Sequence, residues 1–154
     1  MSNARTKDCG ACLSRRGMLR TGMTGAALSL LPLGCASQAT PPDGPIAAGN
    51  VANTPVGSLR VVNGNAVLGR DADGLYAMSN LCTHEGCAME VSGTGSSEGL
   101  ICNCHGSTFD ANGGVTRGPA RAALAHYKVD LTADGSITIQ GAETVASTAR
   151  TPVG

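Results

Sequence analysis

The apolar residues of this chain fall into short runs separated by turn residues. Leu59-Arg60-Val61-Val62 and Ala66-Val67-Leu68 flank Asn63-Gly64, a pair that favours a two-residue type I′ hairpin. Asp73-Gly74 leads into Leu75-Tyr76-Ala77-Met78, and Asn112-Gly113-Gly114 turns the chain towards Val115. His126 to Leu131 and Ser136 to Ile139 flank Asp134-Gly135, a second hairpin signal. Short runs punctuated in this way predict strands rather than helices. The expected domain is all-β and antiparallel and covers residues 56–140. The stretch from Ala36 to Pro55 is rich in Pro, Ala, Gly and Thr, so 40–55 is expected to be a flexible tether. The Ala/Thr-rich tail, 141–154, is expected to be loosely ordered.

One apolar run has a different character. Thr21 to Leu33 is 13 residues long and contains two glycines and Pro32. A bilayer-spanning helix needs about 20 apolar residues. The run follows Ser14-Arg15-Arg16-Gly17-Met18-Leu19-Arg20, and basic-then-apolar order marks an export leader. It resembles a twin-arginine signal, which assigns 1–39 to a signal peptide and the protein to the periplasm. Gly34-Cys35 offers a lipoprotein cleavage site with Cys35 lipidated, although Pro32 stands where Leu is preferred. Cutting after Ala39 is the alternative; a lipid anchor has the merit of explaining Cys35. Cys9 and Cys12 lie in the leader, and no function is assigned to them.

Formal charge sums to zero, with 11 basic and 11 acidic residues, but unevenly. Residues 1–35 hold five Lys/Arg and one Asp; the rest holds six basic and ten acidic residues, a net of −4. Nucleic acid is not an expected partner of such a domain. Three aromatic residues and no Trp leave no platform for stacking bases, and predict a small aliphatic core. A cofactor and a cross-link would then supply much of the stability.

The chemistry is concentrated in two loops. Cys82-Thr83-His84-Glu85-Gly86-Cys87 and Cys102-Asn103-Cys104-His105-Gly106-Ser107 hold four of the seven cysteines and two of the three histidines. Each loop pairs a cysteine with a histidine two or three residues on, and a glycine follows each histidine. Metal ligands must converge and be deprotonated, and tight glycine turns allow that convergence. A structural zinc site could use Cys82, His84, Cys102 and His105, but leaves Cys87 and Cys104 without a role. A disulfide-rich secreted domain leaves the matched histidines without one. His126, the third histidine, lies outside both motifs, where a surface or packing role is expected.

The double motif resembles the Rieske family of [2Fe–2S] proteins, in which two histidines replace two cysteines on one iron. The resemblance covers about Val56 to Ile139. It implies an antiparallel β-sandwich with an inserted cluster-binding subdomain. It also implies one cluster, held by Cys82 and Cys102 on one iron and by His84 and His105 on the other. Cys87 and Cys104 correspond to a disulfide found in the branch that includes cytochrome bc complexes and arsenite oxidase small subunits. Gly118-Pro119-Ala120 corresponds to the family's proline loop, a third wall over the cluster. Ser107 corresponds to a donor to a bridging sulfide. The histidine edges would be the route for electrons, and oxidation would lower the histidine pKa values.

Three positions depart from the cytochrome bc pattern. Glu85 replaces a usual Leu, placing a carboxylate beside His84 that is costly to bury in an apolar quinol pocket. Asn103 replaces a Pro. Phe109 replaces a Tyr that donates a hydrogen bond to a ligand cysteine, which Phe cannot do. Hydrogen bonds to the sulfurs favour the reduced cluster, so the potential is expected to lie below that of quinol-oxidising members.

No catalytic constellation is visible outside the loops, so an enzyme on its own is not expected. The leading expectation is a one-electron carrier exchanging electrons with a redox donor and acceptor. The alternative is a subunit beside a large catalytic partner, as in a cytochrome bc complex or an arsenite oxidase-like molybdoenzyme. A zinc module is the remote third.

Overall fold

Two antiparallel sheets make up the described chain, which in this computed structural model comprises residues 40–63, 65–94 and 98–154. The larger has six strands: β1 (Pro45–Asn50), β2 (Ser58–Val62), β3 (Ala66–Arg70), β4 (Leu75–Ser79), β9 (His126–Leu131) and β10 (Ser136–Val145). Their order is β1-β10-β9-β4-β3-β2. The smaller sheet runs in chain order through β5 (Glu90–Ser92), β6 (Gly99–Cys102), β7 (Ser107–Asp110) and β8 (Val115–Arg117). It is inserted between β4 and β9. A short 3-10 turn, Val51–Asn53, is the one helical segment among the described residues. The all-β, antiparallel expectation with an inserted subdomain is met.

Two apolar clusters explain the unbroken runs in β3 and β4. Ala66, Leu68, Leu75 and Ala77 point into one cluster with Ile46, Val62, Val129, Ile137 and Ile139. The alternating residues Val67, Tyr76 and Met78 point into the other, with Leu100, Phe109, Leu124 and the two cysteines Cys82 and Cys102. Because side chains alternate across a strand, a strand buried on both faces must be apolar throughout. The second cluster is the joint between the sheets.

Three expectations need correction. Residues 45–50 are not tether but edge strand β1, with Pro45 opposite Gln140 and Ile46 opposite Ile139. Ile46 and Ala48 face the core, while Pro45, Ala47 and Gly49 are exposed, a period that the small residues conceal. The tail beyond Gly141 is not loose. β10 continues to Val145, and Thr151 exchanges backbone hydrogen bonds with Leu75 at 2.8 and 2.9 Å. Gly74 permits this approach, since a Cβ there would lie 2.2 Å from the Thr151 carbonyl oxygen. The first hairpin pairs Val62 with Ala66, so three residues, not two, separate the strands. Asn65 is drawn into that loop: its side chain donates to Thr40 at 3.0 Å, and its carbonyl accepts from the N–H of Asn80. At Asp134-Gly135 the hairpin forms as expected, with Gly135 at φ +83°.

The leader 1–39, including Cys35, lies outside the described residues. Among the described residues no helix is long and apolar enough to cross a membrane.

Candidate metal centre

The two cysteine–histidine loops fold into the same turn. In the first, the N–H of Gly86 donates to the carbonyl of Cys82 at 2.8 Å; in the second, that of Gly106 donates to Cys102 at 2.9 Å. Gly86 and Gly106 have φ +72° and +76°, a region in which a side chain is strained. In each loop the turn directs the cysteine inwards and the histidine towards solvent.

Cys82 and Cys102 are free thiols, 2% and 1% exposed, within the apolar cluster between the sheets. Burial pushes the Cys102 thiol up, and the neighbouring Cys82 thiol adds to the rise. The backbone N–H groups of Cys104 and His105 act against it by hydrogen bonding to the Cys102 sulfur. The rings of His84 and His105, one from each loop, meet edge to face, centroids 4.8 Å apart. Cys87 and Cys104 form a disulfide that joins the loops across a Cα–Cα distance of 6.7 Å.

The expected ligands therefore sort into two layers, buried sulfur and outer imidazole. Sulfur atoms of Cys87, Cys102 and Cys104 approach within 4.8 Å of one another, as do ligating atoms of His84, Glu85 and His105. Two layers of different donors suit a centre with one sulfur-held and one nitrogen-held iron better than a single tetrahedral ion. A Cβ at Gly86 or Gly106 would meet nothing within 4 Å, leaving room beside both histidines. The donor set fits a [2Fe–2S] cluster.

The flanking residues tie a third segment to the loops. Ser107 is fully buried, and its hydroxyl oxygen accepts from the N–H of Ala120 at 3.0 Å, leaving its proton to donate elsewhere. Thr83 donates its hydroxyl to the Ala122 carbonyl at 2.7 Å. Gly118-Pro119, joined by a cis peptide, thus leads into a segment pinned to both ligand loops. Phe109 is 2% exposed and packs in the same cluster as both thiols. Asn103 donates to Glu90 at 3.0 Å and so ties the second loop to β5. Glu85 follows His84 in the chain, and its carboxylate also reaches the other loop, 3.8 Å from Nε2 of His105.

The family model for the Rieske [2Fe-2S] domain matches residues 46–128. This chain belongs to the Rieske [2Fe-2S] family. Members of the family bind one [2Fe–2S] cluster and transfer electrons. Among curated relatives, the cytochrome b6-f complex iron-sulfur subunit of Prochlorococcus marinus (strain MIT 9211) is 37% identical over 113 residues. That alignment covers 69% of this chain and 62% of the relative. The corresponding subunit of Synechococcus sp. (strain WH7803) is 34% identical over the same length and the same shares. The chain thus spans somewhat under two thirds of these relatives. Among solved structures, a complex of reduced oxygenase and oxidised ferredoxin in carbazole 1,9a-dioxygenase aligns with a TM-score of 0.50 at 20% identity. It covers 68% of this chain and 99% of that one, a likeness of fold.

The family match begins at Ile46, inside β1, which agrees with the strand found there. Sequence reading overlooked Thr83 and Ala122, whose bond spans 39 residues and has no local signal. It also overlooked a clamp on the β7–β8 turn. Tyr76 donates to the Ala111 carbonyl at 2.9 Å, His126 Nε2 to that of Asn112 at 3.0 Å, and Arg150 to the Asn112 side chain at 2.8 Å. His126 therefore has a packing role, 3% exposed and stacked on Tyr76.

Proposed function

We propose that this protein carries single electrons in the periplasm, as a soluble or lipid-tethered carrier. Cys82, Cys102, His84 and His105 would hold the cluster. The cluster supplies a site that takes up and releases one electron at a time. The observation that carries the reading is the pair of matched turns, which bury two thiols and present two imidazoles to solvent.

The residues around the site exclude water from the sulfur side and leave the nitrogen side open. Leu100, Phe109 and Leu124 pack around the thiols, and the disulfide holds the loops at a fixed separation. His105 and Glu85 are 45% and 59% exposed, so a partner can reach the imidazole edge directly. Periplasmic placement is supported by the twin-arginine-like leader and by a disulfide, which persists in oxidising compartments. Tethering through Cys35 would be tested by mass spectrometry of the mature N-terminus.

A second reading, an electron-transfer subunit of a larger oxidoreductase, is favoured by the relatives that are cytochrome b6-f complex subunits. Against a quinol site stands Glu85, a carboxylate costly to enclose in an apolar pocket. Copurification with a large cofactor-bearing protein would favour the subunit reading. The decisive measurement is the electron paramagnetic resonance spectrum of the dithionite-reduced protein, with a potential titration. A mixed-valence signal lost in Cys82→Ser and in His105→Ala supports the cluster and its ligands. A diamagnetic, zinc-containing protein would overturn them.

A further inference from the structure

Residues 40–154 carry six basic side chains and ten acidic ones. Four of the six cations are committed internally. Arg60 donates to the Ala48 carbonyl, and Arg70 donates to that of Thr54 at 2.9 Å. Arg150 pairs with Asp71 at 2.6 Å, and Lys128 lies 3.5 and 3.4 Å from Asp130 and Glu143. The other two, Arg117 and Arg121, are exposed and have no ion pair or side-chain hydrogen bond among the described residues.

Both lie at the rim of the metal centre. Arg117 ends β8 opposite Thr108, in the strand that leaves the second ligand loop. Arg121 lies between Ala120, pinned to Ser107 of the second ligand loop, and Ala122, pinned to Thr83 of the first. The exposed pair Gly118-Pro119 separates the two arginines. The free positive charge of a net-acidic domain thus lies on segments that adjoin the two loops carrying His84 and His105. Local charge, not net charge, governs docking once surfaces are closer than a screening length of about 8 Å.

We propose that the proline-loop side of this tip docks an acidic face of a redox protein, with Arg117 and Arg121 as its contact cations. This rests on the electron-carrier reading, which places the point of exchange at the histidines. Glu85, at the same tip, opposes such a partner and sets a limit on its affinity. A basic partner would reverse the roles, with Glu85 attracting and the arginines repelling.

The test is binding of a fluorescein-labelled hexaglutamate peptide to the cluster-loaded protein at low ionic strength, read by fluorescence anisotropy. The wild type should bind, and added salt should weaken binding. Arg117→Gln with Arg121→Gln should lower affinity roughly tenfold. Lys128→Gln should leave it unchanged, and Glu85→Gln should raise it. Binding indifferent to the arginines, absent altogether, or weaker than that of hexalysine overturns the inference. A protein that shows the mixed-valence signal but fails these tests loses only the docking surface. One without the signal loses the carrier reading itself.

Discussion

The carboxylate of Glu85 lies 3.8 Å from Nε2 of His105, across the gap between the loops, and also within 4.8 Å of a ring nitrogen of its chain neighbour His84. A negative charge there disfavours the addition of an electron to a nearby centre. At several ångströms and an effective dielectric of about 40, a unit charge is worth on the order of 1 kcal/mol, about 40 mV for one electron. Glu85 is more than half exposed, so solvent screening makes that an upper figure. Glu85→Gln should raise the reduction potential by a few tens of millivolts, less in high salt. A fall in potential on voltammetry would contradict this placement of charge.

Phe109 offers a complementary change. Its ring is 2% exposed and shares a cluster with Cys82 and Cys102. Phe109→Tyr adds a donor on the sulfur side, where each hydrogen bond favours the more negative, reduced form. With a net hydrogen bond worth about 1 kcal/mol, the potential should rise by about 40 mV. An unchanged or lower potential in a variant with wild-type spectra would show that the hydroxyl finds another acceptor.

How far the sequence reveals this molecule depends on whether a feature is local. Ligand loops, glycine turns and the Asp134-Gly135 hairpin are each encoded within about six residues. So is the alternation that sends Leu75 and Ala77 one way and Tyr76 and Met78 the other, once both faces are known to be buried. Strand β1 escaped because Ala48 fills a core position that usually takes a larger residue. The tail escaped because its order comes from Leu75, Asp71 and Asn112, far away in the chain. Glu85 was half legible: its adjacency to His84 places the carboxylate within 4.8 Å of that ring, as the chain order suggests, but its 3.8 Å approach to His105 depends on the other loop.

The tail should prove structural when Arg150 is removed. Its guanidinium bonds Asp71 at 2.6 Å and Asn112 at 2.8 Å, and stacks 4.2 Å from the centre of the Tyr76 ring. Burial pushes the Asp71 carboxyl up, but Arg150 and the N–H groups of Asp73 and Gly74 outweigh it and hold it below its ordinary range. Arg150→Met keeps the stem and loses these contacts. Allowing for the partial exposure of Asp71, the cost should be about 1–2 kcal/mol in urea unfolding. Amide exchange at Thr151 should quicken. Unchanged exchange would show that backbone pairing alone holds the tail.

The Cys87–Cys104 disulfide closes a loop of 17 residues. In the chain-entropy model such a closure is worth roughly 3 kcal/mol. The double variant Cys87→Ser, Cys104→Ser should lower the unfolding free energy by about that much. Cluster retention during handling should suffer too, because the loops are then held together only by their strands and by the hydrogen bonds to Ala120 and Ala122. A stability loss well below 1 kcal/mol would indicate that the inter-sheet cluster positions the loops without help.

Acid should weaken the clamp through His126. Its Nε2 donates to Asn112, which makes Nδ1 the unprotonated nitrogen, and that atom is buried without a hydrogen-bond partner. Burial holds the His126 pKa below its ordinary 6.5; repulsion from Arg150 adds to this, while the Asn112 carbonyl and Asp110 oppose it. The stacked Tyr76 ring is neutral in this range, its own pKa pushed up by burial. An unfolded chain therefore takes up a proton near pH 6.5 that the folded one refuses. The stability His126 contributes is complete above that pH and declines as pH falls towards the folded pKa, by up to about 1.4 kcal/mol per pH unit. His126→Gln retains a donor for Asn112 and cannot titrate. Between pH 7 and pH 5 the wild type should lose more thermal stability than this variant. Parallel losses would mean that protonated His126 finds a partner in the folded state.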